Sequence, residues 1–253
     1  MGVEIKSAVE DFWRARGRGE YFPTAYEDRL SLDEAYRIQF ALIDRRVAAG
    51  ERHIGWKVGL TSKAIQEQFG FHEPVFGCIL QSFPSGHELP SNLIKPGLET
   101  ELCMRFAHSL QGEVTPQQVM NALEGIHPSF EIIETRGDLT RHIALALADN
   151  AQQHSVILGP PRRPDASTRL DQVTARVKLN GKEIVVGTGD AVLGNPLNSV
   201  VWLARKLTEF GRSIRPGDIV MTGSFVRQFP LAPGDHAEAD FSGIGQVAVG
   251  VAR

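Results

Sequence analysis

Two periodicities of apolar positions divide the chain into predicted helices and strands. Residues 31–49 repeat apolar side chains at helical spacing, with Ser31 as N-cap, Glu34 completing a capping box and Gly50 marking the end. A cap residue followed by proline marks the start of two of the other predicted helices. These other helices are predicted over residues 61 or 62 to 69, 115–124, 138–147 and 196–210.

Short apolar or alternating runs, most of them bounded by glycine or proline, predict the strands. They cover residues 53–59, 98–107, 129–134, 154–158, 172–179, 183–187, 218–222, 236–241 and 246–251. Because strands follow one another in runs, the order favours an α+β fold over a doubly wound parallel sheet. Residues 84–97, rich in turn-forming residues, predict a junction between an N-terminal α/β part (1–85) and a β-rich catalytic domain (86–253).

Composition excludes several classes of function. The chain has 253 residues, 42% of them hydrophobic, and a net charge of −3, so we expect a large buried core and no nucleic-acid partner. No apolar run approaches membrane-spanning length and the first residues lack a signal core, so no membrane partner is predicted. Cys78 and Cys103 alone make no disulfide framework, which favours a reducing, cytoplasmic location.

Three carboxylates stand in apolar strands. Glu99 and Glu101 lie two residues apart, so in a strand their side chains project from the same face, and Glu131 lies between Phe130 and Ile132 in the next strand. Carboxylates held together ionise easily only when a cation neutralises them, and oxygen-only ligands suit Mg²⁺ or Mn²⁺ better than zinc. The alternative interpretation is the solvated face of an edge strand.

Two further segments carry candidate chemistry. Lys57 lies in an otherwise uncharged strand between Gly55 and Gly59, where it would stabilise an enolate or transfer a proton. Its alternative is a surface lysine on an edge strand. Residues 215–224 predict a turn, a strand and a Gly-Ser turn whose N–H and hydroxyl groups suit a carboxylate. The sequence contains no Walker loop, G-x-S-x-G elbow or H-E-x-x-H motif.

Taken together, these segments resemble the fumarylacetoacetate hydrolase superfamily. Within it, the chain is most similar to the branch of 2-hydroxypentadienoate (2-keto-4-pentenoate) hydratases and 4-oxalocrotonate decarboxylases. The matching segments run nearly from end to end. They include GWKVGLTS (55–62), EPVFG (73–77), IKPGLETELCMRF (94–106), PSFEIIETR (128–136), GTGDAVLGNPLNSVVWLARKL (187–207), GDIVMTGSF (217–225) and ADFSGIGQVAV (239–249).

The resemblance implies a role for each candidate residue. Glu99, Glu101 and Glu131 match the metal-binding carboxylates of the family, Lys57 matches its active-site lysine, and Thr222, Gly223 and Ser224 match the turn that holds the substrate carboxylate. It also implies a β-rich roll of mixed sheets, a 2-oxo acid substrate and homo-oligomers built from dimers. Association with another enzyme of the same pathway is a further expectation, and a non-catalytic partner subunit is the competing class of function.

Departures from the family patterns bear on the reaction. The hydrolase branches carry a His-Glu pair where this chain has LTSKAIQEQFG, with Ile65 about at the histidine, and a lysine near Asp149-Asn150. Both differences weigh against a C–C hydrolase of acylpyruvates. Hydratases commonly have an acidic residue at Val75, whereas decarboxylases have a branched apolar residue there. Because residues 189–207 look hydratase-like, the resemblance favours hydration of 2-hydroxydienoates and leaves decarboxylation of oxo-diacids as the alternative.

Overall fold

The computed structural model describes residues 3–62, 66–67, 70–138, 142–165 and 167–253. Ser31 caps the second helix, where its hydroxyl accepts from the Glu34 N–H at 3.2 Å and the Glu34 carboxylate accepts from the Ser31 N–H at 2.9 Å. Thr115 and Asn195 cap two later helices, each followed by a proline in the first turn. The helices are α1 (Ile5–Gly17), α2 (Leu32–Ala48), α3 (Pro116–Ala122), α4 (Ile143–Ala148) and α5 (Pro196–Thr208).

The strands form two mixed sheets. In chain order they are β1 (Gly55–Gly59), β2 (Val75–Ile79), β3 (Ser82–Pro84), β4 (His87–Leu89), β5 (Pro96–Phe106), β6 (Leu123–Glu134), β7 (Gln153–Leu158), β8 (Thr174–Leu179), β9 (Lys182–Thr188), β10 (Ile219–Ser224), β11 (Phe229–Pro230), β12 (His236–Phe241) and β13 (Gly245–Val251).

The larger sheet brings distant parts of the chain together. Its order is β2-β1-β10-β5-β6-β7-β3, with β11 paired to β5, and the smaller sheet has the order β4-β13-β12-β8-β9. β1 runs parallel to β10, whereas β10, β5, β6 and β7 pair antiparallel in that order. The centre of the larger sheet therefore consists of the strands that carry the candidate site residues.

The two faces of β5 have different neighbours. Leu98, Leu102 and Met104 project into the main hydrophobic core. Cys103 lies on the other face, in a smaller apolar cluster with Met221 and three further residues. Since side chains alternate along a strand, Glu99 and Glu101 share the face of Cys103 and are separated from the main core by the backbone.

The structure confirms the predicted α+β class and most of the predicted strands. The structure differs from the prediction in these strands: β2, β3 and β11 were not predicted, β6 begins at Leu123 instead of 129, and residues 84–97 contain the strand β4. β6 starts early because Leu123, which ends α3, is already extended, and Gly125 pairs directly with Arg105 of β5. The helix predicted to end at 69 lies partly outside the described residues, as do Ile65 and the first turn of the helix predicted over 138–147.

Candidate active site

The three carboxylates predicted to act together lie side by side. Glu99 of β5 and Glu131 of β6 are direct cross-strand partners, and Glu101 follows on the same face of β5. One carboxylate oxygen from each residue lies within 4.8 Å of the other two. Glu101 and Glu131 are buried, whereas Glu99 is partly exposed. The cluster is therefore open to solvent on the Glu99 side.

The electrostatics of this cluster fit a divalent cation. Burial, followed by repulsion from neighbouring carboxylates, raises the pKa of Glu101 well above its usual range. Burial also raises the pKa of Glu131 to about 7, against the opposing effect of Lys57. Neither oxygen of Glu131 accepts a hydrogen bond from the described residues. When all three carboxylates are ionised, they exceed the charge of one ammonium group by two, and one divalent cation would neutralise that excess.

Lys57 is a buried member of the cluster. Its Nζ lies 3.3 Å from Glu131 Oε1, and only 6% of its side chain is exposed. Burial alone would lower the pKa of Lys57, but the charges of Glu131, Glu99 and Glu101 outweigh that effect and raise it. The structure thus excludes the alternative of a surface lysine. It places a protonated ammonium group beside the carboxylates.

Two glycines make room for the Lys57 side chain. Lys57 is the cross-strand partner of Gly77, where an added Cβ would lie 3.3 Å from Lys57 Cε. A Cβ on Gly59 would lie 3.7 Å from Lys57 Nζ and 3.4 Å from Val75 Cγ2. Position 55 requires glycine for a different reason. A Cβ there would overlap the Ile219 carbonyl oxygen of the neighbouring strand β10.

The three residues expected to hold a substrate carboxylate lie at the end of β10, beside Glu101. The Gly223 N–H donates to Glu101 Oε2 at 2.8 Å. The buried Thr222 hydroxyl donates to the Leu102 carbonyl at 2.9 Å. The Ser224 hydroxyl accepts from the Thr100 N–H at 3.0 Å. In this structure all three residues attach the end of β10 to β5, and the partly exposed Ser224 faces solvent on one side.

Val75 begins β2 and is buried on the same side as Lys57. Of the nearby polar groups, Glu73 turns toward α5, where its carboxylate lies 3.2 Å from Lys206 Nζ. His72 is exposed. Gln66 is buried and its side-chain Nε2 donates to the Leu60 carbonyl at 2.7 Å. The side chains of Glu73 and Gln66 are thus both engaged, with Lys206 and with the Leu60 carbonyl.

Sequence reasoning missed Asn150 as a neighbour of Lys57. Its side chain binds the backbone of Cys78 in β2, which follows Gly77 and lies 72 residues away in sequence. The sequence signal was the pair Asp149-Asn150, at a position where related hydrolases have lysine. Nothing in the local pattern predicted its contact with β2.

Comparison with known proteins agrees with the resemblance read from the sequence. The model of the fumarylacetoacetate (FAA) hydrolase C-terminal family matches residues 83–252. The chain is 33% identical over 223 residues to 2-keto-4-pentenoate hydratase of Paraburkholderia xenovorans LB400, covering 86% of this chain and 83% of that protein. It is 27% identical over 226 residues to a 4-oxalocrotonate decarboxylase of Pseudomonas sp, covering 88% of each.

A solved structure resembles nearly the whole chain. The 4-oxalocrotonate decarboxylase of Pseudomonas putida G7, complexed with magnesium and adipate, superposes with a TM-score of 0.91. The sequence identity is 29%, and the match covers 98% of this chain and 97% of that one. The family match over two thirds of the sequence and the identity to the hydratase lead to one conclusion: the chain belongs to the fumarylacetoacetate hydrolase family.

Proposed function

We propose that the protein is a divalent-metal-dependent lyase of aromatic-compound degradation, which hydrates 2-hydroxypenta-2,4-dienoate-type substrates to 4-hydroxy-2-oxo acids. The observation that carries this proposal is the cluster of Glu99, Glu101 and Glu131, in which the buried Lys57 is paired to Glu131. The 33% identity to 2-keto-4-pentenoate hydratase supports hydration as the reaction. An intact set of charged site residues also argues against a non-catalytic partner subunit.

In this proposal the three glutamates hold Mg²⁺ or Mn²⁺. The bound ion supplies a Lewis acid that stabilises negative charge at the 2-oxo group of the substrate. Lys57 places a second positive charge beside the enolate oxygen or transfers a proton to or from the substrate. Its burial strengthens that effect, because the surroundings screen the charge less than water does.

Thr222, Gly223 and Ser224 are the proposed site for the substrate carboxylate. Ser224 is the member of this group with solvent access, and the Gly223 N–H already holds Glu101 in place. The end of β10 would therefore position both a metal ligand and the substrate. Val75 is proposed to contact the substrate tail, because it flanks the Lys57 ammonium group.

Decarboxylation of 4-oxalocrotonate-type oxo-diacids is the second candidate. Val75 is buried and apolar, and Glu73 is directed toward Lys206 instead of the site. Apolar surroundings disfavour the charged terminal carboxylate of an oxo-diacid substrate and so favour its loss as CO₂. For hydration, we propose the buried Gln66 as the group that orients water. C–C hydrolysis of acylpyruvates is a third and weaker alternative.

Product identification tests the proposal. The purified protein is incubated with Mg²⁺ or Mn²⁺ and, separately, with 2-hydroxydienoates, unsaturated oxo-diacids and acylpyruvates. We expect a 4-hydroxy-2-oxo acid from the dienoates, and none without metal. Release of CO₂ from the oxo-diacids without hydration of the dienoates would replace hydratase by decarboxylase. Cleavage of acylpyruvates alone would establish the hydrolase.

Several properties of the whole protein remain predictions. We infer a cytoplasmic location, homo-oligomers built from dimers, a division near residues 85 and 86, and association with another enzyme of the pathway. Among the described residues, no helix combines the length and the apolar character needed to cross a bilayer. Sedimentation of the purified protein and co-purification from the native host would test the oligomer and the association.

A further inference from the structure

A short left-handed segment lies next to the candidate site. Asn150, Ala151 and Gln152 have φ angles of 56°, 49° and 59°. Asparagine enters this region more readily than most residues, but three consecutive non-glycine residues there are unusual and must be held by their surroundings. The contacts of Asn150 explain what the segment holds in place.

Asn150 binds both backbone groups of one residue in β2. Its Oδ1 accepts from the Cys78 N–H at 2.7 Å, and its Nδ2 donates to the Cys78 carbonyl at 2.8 Å. All of these atoms are buried. The side-chain amide thus takes the place of a neighbouring strand at the edge of the larger sheet, where β2 has β1 on its other side.

The same residue and the Lys57 side chain both lie against Gly77. An added Cβ on Gly77 would lie 3.0 Å from the Asn150 carbonyl oxygen, 3.3 Å from Asn150 Oδ1 and 3.3 Å from Lys57 Cε. Asn150 and the stem of Lys57 therefore lie against the same point of β2. Movement of Asn150 would open space into which Lys57 could turn away from Glu131.

The segment is also tied to the strand that carries Glu131. Arg136 lies two residues beyond the end of β6, and its guanidinium donates to the Asp149 carboxylate and, at 3.1 Å, to the Asp149 carbonyl. The Gln152 side chain donates to the Gly137 carbonyl at 3.2 Å. From α2, the buried Gln39 donates to the Leu147 carbonyl at 2.7 Å. The support of Lys57 and the strand of Glu131 are thus connected through residues 149–152.

We propose that Asn150 is a positioning residue, which holds β2 and the Lys57 side chain so that the ammonium group stays on Glu131. Asn150 does not contact the substrate in this proposal and acts through Lys57. The inference rests on the proposed function only for the expected effect on kcat. The position of Lys57 can be measured without any turnover.

Asn150→Gly tests the proposal, because glycine keeps the left-handed backbone and removes both bonds to Cys78. Asn180→Gly is the matched control. Asn180 also has a positive φ, 52°, and its side chain also makes two hydrogen bonds, to Asp235 and to the His236 N–H, but it lies in the hairpin between β8 and β9 of the other sheet.

The first measurement is the rate at which an acylating reagent modifies the Lys57 amine, monitored by peptide mass spectrometry. This rate is divided by the rate at Lys206, whose side chain is also largely buried and ion-paired. We expect Asn150→Gly to raise this ratio, and Asn180→Gly to leave it unchanged. The second is a split of kinetic constants: kcat falls about tenfold or more, as misplacement of a catalytic group predicts, whereas the Kd for Mn²⁺ stays within about twofold.

An unchanged acylation ratio in a folded Asn150→Gly protein would overturn the proposal, and so would an equal rise in both variants. If Asn150→Gly does not fold, Asn150→Asp decides, because it keeps the acceptor for the Cys78 N–H and loses the donor. In denatured protein Lys57 is fully exposed, and this sample gives the upper limit of the acylation ratio. A ratio for Asn150→Asp between the wild-type value and this limit supports the proposal. A ratio and a kcat equal to those of the wild type contradict it. Absence of lyase activity in the wild type would refute the proposed function alone.

Discussion

One ammonium group faces three carboxylates at the centre of the candidate site. Lys57 contacts Glu131, which receives no hydrogen bond from the described residues, so this ion pair is the main compensation for the charge of Glu131. A cation in the same cluster would share the carboxylates with Lys57 and repel its ammonium group. The role of Lys57 should therefore be separable from metal binding by measurement.

Replacing Lys57 by methionine keeps the length of the stem and removes the charge. We expect kcat to fall about 100-fold or more, because the loss of a positioned acid or charge typically has that effect. Mn²⁺ should bind at least as tightly as to the wild type, since a neighbouring positive charge is lost. Steady-state kinetics and calorimetric Mn²⁺ titration measure the two effects. Near-normal turnover in this variant would mean that the metal stabilises the enolate unaided.

Substitution of Val75 tests whether the surroundings of the substrate tail determine which reaction occurs. An acidic group at this position would lie on the same side of the sheet as Lys57 and would orient water or relay a proton, as hydration requires. Val75→Asp should increase the ratio of hydrated to decarboxylated product, and the uncharged, equally sized Val75→Asn serves as control. Product ratios by chromatography provide the measurement. Equal ratios in the wild type and both variants would show that position 75 does not select the reaction.

At the scale of elements, the sequence predicted those parts of the site whose residues are close together in the chain. Glu99 and Glu101 are two residues apart, so any strand places them on one face, and Glu131 falls opposite Glu99 when β5 and β6 pair. Leu98 and Leu102 are neighbours of these carboxylates in sequence but not in space. They lie on the opposite face, in the main core.

The elements that escaped prediction depend on contacts far apart in the chain. β2 is a short strand whose length is determined by pairing with β1, and the left-handed segment at Asn150 is held by Arg136 and by Cys78 of β2. No local periodicity encodes either feature, because their hydrogen bonds reach across many residues. The residues of the site were therefore easier to predict than the residues that support them.

The start of β1 provides a test of stability against pH. His53 packs on Trp56 with ring centroids 4.4 Å apart, and Arg215 Nη2 lies 3.2 Å from His53 Nδ1. Burial, together with the positive charges of Arg215 and Arg212, lowers the pKa of His53 to about 4 from its usual 6.5. Between these two values the unfolded chain binds a proton at this residue that the folded chain does not.

The free energy of unfolding should therefore fall as the pH decreases from about 6.5 toward about 4, with His53 contributing to the loss. His53→Gln removes that contribution, so its stability should decrease less than that of the wild type between about pH 7 and pH 5. Urea unfolding at both pH values measures the difference, and His108→Gln, at an exposed position, is the control. The same pH dependence in wild type and His53→Gln would show that His53 is protonated in the folded protein.

At the scale of the whole molecule, metal binding and folding should be coupled. The clustered carboxylates destabilise the metal-free protein, and an ion that binds only the folded state stabilises it in proportion to the logarithm of its concentration. At 100 times its Kd, Mg²⁺ should add about 2.7 kcal/mol, which corresponds to a Tm increase of roughly 5–10 °C for a chain of this size. Chelation should reverse the increase.

Glu101→Gln separates the charge of this carboxylate from its shape. The amide oxygen can still accept from the Gly223 N–H, while one of the three clustered carboxylates is lost. We therefore expect the metal-free variant to melt no lower than the metal-free wild type, and to lose the Mg²⁺-dependent increase in Tm. Glu238→Gln, at an exposed position of β12 in the other sheet, should keep that increase. Thermal scans with and without Mg²⁺ measure all three proteins, and an undiminished shift in Glu101→Gln would place the metal elsewhere.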